Sequence, residues 1–117
     1  MQSIQLGNDN LSATFISYGA RIVDIRMAEN DLPLILGFPD FTDYLNDDAY
    51  LGAIVGRVAN RIAFGKTRIG NKIYEFDKNE NSIQTLHGGV KSCAFQNWQI
   101  EQNDNTSVTF ALSEPDG

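Results

Sequence analysis

The sequence predicts an all-β fold. Two observations carry that expectation: apolar and polar side chains alternate with period two along several short runs, and turn-forming residues separate those runs. Alternation of this kind reads as half-buried strands, because successive strand side chains face opposite sides. Short strands between tight turns, with no amphipathic helix of useful length, exclude a helical or mixed architecture.

The runs are read in chain order. Tyr18-Gly19 lies between Thr14–Ser17 and Arg21–Met27 and predicts an early hairpin. Within the second run Val23, Ile25 and Met27 point one way, while Asp24 and Arg26 point the other. Phe41–Leu45 has the length of one helical turn, but Asp40, Asp43, Asp47 and Asp48 favour a solvated acidic loop over 40–48. Gly70-Asn71 sits between Thr67–Ile69 and Lys72–Phe76, a short hairpin signal because both residues tolerate positive φ. Asn103-Asp104-Asn105 divides Trp98–Gln102 from Ser107–Ser113, where Val108, Phe110 and Leu112 alternate with smaller or polar residues.

Length and composition bound the function. At 117 residues and 42% apolar, the chain suits one domain, residues 1–117, with a real core. Its net charge of −6 argues against a nucleic-acid partner, which requires a basic face, and against an anionic membrane surface. One cysteine and one histidine exclude an intramolecular disulfide and do not suit a zinc site, so no metal is expected. The first residues lack the basic start and apolar run of a secretory signal, and no stretch approaches the roughly 20 apolar residues of a membrane span. The expected setting is cytoplasmic, without a membrane partner.

Two segments hold the candidate chemistry. In Gly56-Arg57-Val58-Ala59-Asn60-Arg61-Ile62, two guanidinium groups and an amide stand among small and apolar residues. Arg57 and Arg61 present forked donors, and Asn60 both donates and accepts, which suits sugar hydroxyls. The competing reading pairs one or both arginines with carboxylates elsewhere. In Thr85-Leu86-His87-Gly88-Gly89, the only histidine precedes two glycines. Imidazole donates and accepts near neutral pH, and glycine lets backbone approach a ligand closely. A structural histidine beside a Gly-Gly turn explains the same residues. Between Gly52 and Tyr74 there are five basic residues and no acid, a run that solvated loops explain as well as a phosphate does. Cys93 reads as a small buried residue rather than a nucleophile, and Trp98 as a core residue heading a strand.

The stretch Leu51–Ile62, reading LGAIVGRVANRI, closely resembles the signature of the aldose 1-epimerase family. Its companion follows at the family's spacing: Asn79, Asn81, then Leu86-His87-Gly88-Gly89-Val90, with Trp98 beyond. Gly65-Lys66 and Gly70-Asn71-Lys72-Ile73-Tyr74 are similar to the hairpin between the motifs. Ile16-Ser17-Tyr18-Gly19-Ala20, Leu36-Gly37-Phe38 and Tyr44-Leu45 also fit, so the resemblance runs nearly end to end.

The resemblance implies a large antiparallel β-sandwich that interconverts α and β anomers of hexoses such as galactose and glucose, in carbohydrate metabolism, without a cofactor. An acidic residue takes the proton of the anomeric hydroxyl while a histidine protonates the ring oxygen; the ring opens and recloses on its other face. By the same resemblance Asn60 and Arg61 match the sugar-contacting pair, and His87 matches the first of two active-site histidines, so it is both a substrate-binding and a catalytic candidate. Arg57 is assigned a structural role. Ser92-Cys93-Ala94 stands where the family continues with Gly-Phe-Asp. The principal catalytic histidine, the glutamate base and a sugar-binding aspartate are expected beyond residue 117, past the closing Ser113–Gly117, which makes this the N-terminal portion of a truncated sandwich.

Three function classes follow. The first is an aldose 1-epimerase-like protein whose isolated chain is weak or inactive, since each general acid or base contributes typically about 10²–10⁴-fold. A variant of it takes a hexose phosphate. The second is a non-catalytic carbohydrate-binding module. The third is a structural subunit completing another chain, and a sandwich cut mid-sheet is expected to self-associate or to pair with a complementary chain.

Overall fold

Strand pairing follows the turn chemistry closely. In this computed structural model, residues 1–115 are described; Asp116 and Gly117, the end of the Ser113–Gly117 stretch, lie outside the described residues. Strands β1 (Ser3–Gly7), β2 (Leu11–Ile16) and β3 (Arg21–Met27) form an antiparallel sheet in the order β1-β2-β3. The hairpin expected at Tyr18-Gly19 joins β2 to β3, with Ile16 opposite Arg21 and a bulge between Thr14 and Phe15. The β1–β2 turn is closed by the Asn8 side chain, whose Oδ1 accepts from the backbone of Asn10 and Leu11. Such Asx turns suit short hairpin loops.

Further on, β4 (Arg61–Ile62) pairs with β7 (Thr85–Leu86), β5 (Lys66–Ile69) with β6 (Lys72–Glu75), and β8 (Gln99–Asn103) with β9 (Val108–Ala111). All these ladders are antiparallel. The Gly70-Asn71 turn places Ile69 opposite Lys72, and Gly70 adopts φ +59°, a region open to glycine without steric cost. Helix is confined to short 3-10 segments at Phe41–Asn46, Ala63–Gly65 and Cys93–Phe95, none long and apolar enough to cross a membrane among the described residues.

Asp40, Asp43 and Asp48 are exposed, as the solvated loop that composition suggested requires, but the 40–48 segment departs from it at Tyr44 and Asp47. Asp40 caps the 3-10 turn Phe41–Asn46 by accepting from Thr42 N–H at 2.8 Å. That turn buries Tyr44, which packs with Ile16 and Val23 as the core. Asp47, directly after it, is buried and paired with the fully buried Arg21. Its carboxylate also accepts from the backbone N–H of Ala49 and Leu51, at 2.9 and 2.8 Å. A charge this deep persists only with such partners.

Arg21 ties three segments together. Besides Asp47, its guanidinium donates to the carbonyls of Leu51 and Ala94, at 3.0 and 3.3 Å. The rings of Tyr18 and Tyr44 lie 5.6 and 5.4 Å from its central carbon. Backbone bonds from Ile22 to Gly52 and from Ile54 to Gly19 fasten the 47–55 segment to the β2–β3 corner. This is the platform from which the two candidate motifs extend.

The molecule is drawn out, 54 × 28 × 23 Å, with a radius of gyration of 16.6 Å. A compact 100-residue domain has about 13 Å. Large apolar side chains stay exposed, among them Leu32, Leu36, Phe64, Ile69 and Val90.

Candidate functional site

The ladder between β4 and β7 brings the two motifs together. It sets Arg61 opposite Leu86 and Ile62 opposite Thr85, so Asn60 and His87 are neighbours at its end. His87 N–H donates to the Asn60 carbonyl at 3.0 Å, and Asn60 N–H donates to His87 Nδ1, also at 3.0 Å. An imidazole whose Nδ1 accepts carries its proton on Nε2 when neutral. The sequence-predicted Asn60, Arg61 and His87 therefore form one cluster.

Asn79 holds the ladder from its flank. Its side chain accepts from Leu86 N–H at 2.7 Å and donates to the Leu86 carbonyl at 3.0 Å. The same amide nitrogen donates to the Tyr50 hydroxyl at 3.3 Å. The Tyr50 ring meets the His87 ring at 4.8 Å, steeply inclined at 62°, and the Phe95 ring at 5.1 Å. Burial pushes the Tyr50 phenol above its ordinary value, although the bond from Asn79 opposes this.

Backbone conformation at the cluster is uncommon. Tyr50, Asn60 and His87 have φ of +58°, +63° and +52°. Asparagine and histidine are among the side chains that visit this region most readily, whereas a bulky residue such as tyrosine is an outlier there. Strained backbone of this sort concentrates at functional sites, held by the surrounding structure. Gly88, next to His87, has φ +92°, and a Cβ on it would lie 1.9 Å from the Gly56 carbonyl oxygen. The turn after the histidine thus packs directly on the arginine motif, and glycine alone permits that approach.

Arg61 is held in a fork by Glu80. Its Nε donates to Oε2 at 2.6 Å and its Nη2 to Oε1, while Nη1 lies 3.4 Å from the Asn60 side-chain oxygen. Gln84 also donates to the Glu80 carboxylate. The Arg61 bonds hold the Glu80 carboxyl below the ordinary carboxylate range. Bidentate pairing of this kind fixes a guanidinium's orientation. Arg57 points elsewhere, donating to the Pro115 carbonyl at 2.6 Å, with Glu114 at 3.6 Å.

The other candidates fall into ordinary roles. Lys66 pairs with Glu75 at 2.7 Å, and Lys72 lies over the Tyr74 ring, so much of the basic run has local partners. The Cys93 thiol is pushed up by burial, away from nucleophile character. Trp98 Nε1 donates to the Cys93 carbonyl at 2.9 Å. Trp98 lines an open apolar cavity of about 570 Å³ with Leu6, Phe15, Ile54 and Phe110, to which Asn60, Arg61 and His87 contribute nothing. Among the described residues no group of three or more His, Cys, Asp or Glu is placed to hold a metal.

A β-sheet protein with this motif pair on one ladder defines a class, and comparison with known proteins names it. The aldose 1-epimerase family model matches residues 2–117, and the chain belongs to that family. It is 36% identical over 120 residues to a probable aldose 1-epimerase of Arthroderma benhamiae, covering 96% of this chain and 27% of that protein. It is also 36% identical to the galactose mutarotase of Mus musculus, over all of this chain and 34% of that one. The solved aldose epimerase homologue from C. elegans superposes with a TM-score of 0.87 at 28% identity, covering 95% of this chain and 35% of that chain. For galactose 1-epimerase from Lactobacillus acidophilus NCFM the values are 0.83 and 26%, covering 98% and 35%. The chain therefore spans about a third, or somewhat less, of the length of these relatives.

Sequence reasoning passed over Tyr50 and Glu80. Tyr50 gave no local signal beyond standing at the head of the Leu51–Ile62 motif. Glu80 was visible as an acid between Asn79 and Asn81, but its pairing with Arg61 depends on the β4–β7 ladder.

Proposed function

We propose that this chain carries the sugar-contacting surface of an aldose 1-epimerase-type activity on hexoses such as galactose or glucose. The observation that supports it most is the pair of hydrogen bonds between Asn60 and His87, which occupies Nδ1 and leaves Nε2 of the neutral imidazole to carry the proton, on the same ladder end as the Asn60–Arg61 pair. Asn60 and Arg61 would engage sugar hydroxyls, which both donate and accept. His87 Nε2–H is the group to hand a proton to the ring oxygen. As that oxygen gains its proton, the bond from C1 breaks and a base removes the proton from the anomeric hydroxyl, giving the open-chain aldehyde. Rotation about C1–C2 and reversal of these steps on the other face produce the second anomer. One proton is taken and one given, so no cofactor is consumed.

The second proton-transfer group has to be a separate one. Glu80, the carboxylate nearest the cluster in the bonding pattern, is committed to Arg61 and Gln84. In this reading the base and the principal histidine come from outside these 117 residues, and the chain alone turns over weakly. The same commitment of Glu80 favours the second reading, a carbohydrate-binding module without catalysis. Exposed apolar residues such as Leu36 and Phe64 support self-association or coverage by a complementary chain. A cytoplasmic setting belongs to the same proposal.

Polarimetry of freshly dissolved α-D-galactose tests the activity. With purified protein, acceleration of the drift in rotation that His87→Ala abolishes supports catalysis. Saturable sugar binding with no acceleration supports the binding module. The absence of both rejects the sugar reading.

A further inference from the structure

We propose that Tyr50 is a positioning residue for His87: its ring fixes the orientation of the imidazole, and Asn79 and Phe95 in turn hold Tyr50. The proposal rests on the reading of His87 as the sugar-facing histidine. Two restraints meet at that ring. The Asn60 N–H to Nδ1 bond sets which nitrogen bears the proton, but one hydrogen bond leaves the ring free to swing about it. The Tyr50 ring, 4.8 Å away at 62°, blocks that swing from the side. Inclined aromatic pairs of this kind are a favoured packing geometry.

Tyr50 is itself over-determined. Phe95 packs against it at 5.1 Å, and its hydroxyl accepts from Asn79, the residue that also brackets Leu86 immediately before His87. Its φ of +58° is uncommon for a bulky side chain and persists only where neighbours enforce it. The Asp47 carboxylate bonds to Leu51 N–H, one residue on, and so connects this enforcement to the buried Arg21. The chain of contacts runs from the core through residues 47–51 to Tyr50, and from Tyr50 to the imidazole. A proton donor has to be held in productive geometry, so the residue that holds it matters although it need not touch the sugar.

His87 is the only histidine, so its two ring nitrogens can be read directly by long-range ¹H–¹⁵N NMR without assignment ambiguity. In the sugar-free protein the proposal expects well-separated Nδ1 and Nε2 shifts, with Nε2 protonated. Tyr50→Leu should bring the two together by about a factor of two or more, as the unblocked ring swings off the Asn60 N–H and samples both tautomers, while the amide signals of β1–β3 stay in place. Tyr50→Phe, which keeps the ring but loses the bond from Asn79, should retain most of the wild-type separation. Phe95→Leu, which loosens Tyr50 from behind, should move the nitrogens in the same direction by less. Unchanged nitrogens in Tyr50→Leu overturn the proposal; if that variant does not fold, unchanged nitrogens in Phe95→Leu overturn it instead. A second titration with D-galactose separates this from the functional reading. Absence of any sugar-induced shift defeats the reading of the site as sugar-binding, whereas the sugar-free nitrogens judge Tyr50.

Discussion

Asn60 and His87 are bonded to each other twice, once between main chains and once from the Asn60 N–H to the imidazole Nδ1, each at 3.0 Å. Both residues take left-handed backbone conformations to do so. Asn60→Gly should keep this backbone and the histidine's orientation while removing the amide that would meet a sugar. Asn60→Val should strain it, at about 1–3 kcal/mol. Urea unfolding curves of the two variants check the difference; equal midpoints would contradict the conformational argument.

Arg61 owes its orientation to Glu80. Glu80→Gln keeps the shape but replaces a charged fork by a neutral amide that can only half accept it. Under the proposed function, galactose affinity should fall by roughly 3–10-fold, without loss of folded protein. Isothermal titration reads the affinity and circular dichroism the fold. An affinity equal to wild type would show that the Glu80 fork is not what orients Arg61 for a sugar.

The buried Arg21–Asp47 pair should dominate single-residue stability. Removing one partner strands the other charge, so Asp47→Ala should cost about 3–5 kcal/mol. It also releases the backbone N–H groups of Ala49 and Leu51. Arg21→Met combined with Asp47→Leu should recover part of that loss, since no lone charge remains. Thermal melts of the two variants decide it: a double variant less stable than Asp47→Ala would count against the desolvation argument.

Asp104 makes the β8–β9 turn acid-sensitive. Bonds from the backbone of Thr106, the Ser107 side chain and the Ser107 backbone pull its carboxyl from 3.8 down to about 2. A carboxyl held low in the folded state binds its proton less readily there than when unfolded. Its contribution is therefore complete above about pH 4 and lost as pH falls through about 2. The Thr106 and Ser107 amide signals should move together across that window and stay still in Asp104→Asn. Movement centred near pH 4 would mean that the turn does not hold the carboxylate.

Local chemistry made the hairpins legible. Tyr18-Gly19, Gly70-Asn71 and Asn103–Asn105 each announce a reversal within a few residues, and the strands they join are where alternation placed them, to within a few residues at each end. Ser3–Gly7 is not legible as a strand because its pattern is short and its turn depends on the Asn8 side chain. The β4–β7 pairing was illegible as a strand pair, since two-residue strands have no period and their partners lie over twenty residues apart. Its two motifs were nevertheless recognisable by residue type.

Buried charge was the clearest misreading. Asp47 belongs to a run whose composition says solvent, and Arg21 begins a strand in which alternation sets Val23, Ile25 and Met27 on one side. Arg21 and Val23 are both buried, but Met27 at the end of the run is 52% exposed. Periodicity tells which side chains share a face; it does not tell that a guanidinium will find a carboxylate from a 3-10 turn twenty-six residues away.

Titration of ¹⁵N-labelled protein with D-galactose, followed by amide shifts, tests the central claim most directly. The account expects Asn60, Arg61 and His87 to shift together and saturably, with a Kd on the order of millimolar for so few polar contacts. His87→Ala should abolish the response while the β1–β3 signals remain unchanged. Shifts confined to residues around Trp98 and Phe110, or no saturable shifts at all, would contradict the assignment of this ladder as the sugar site.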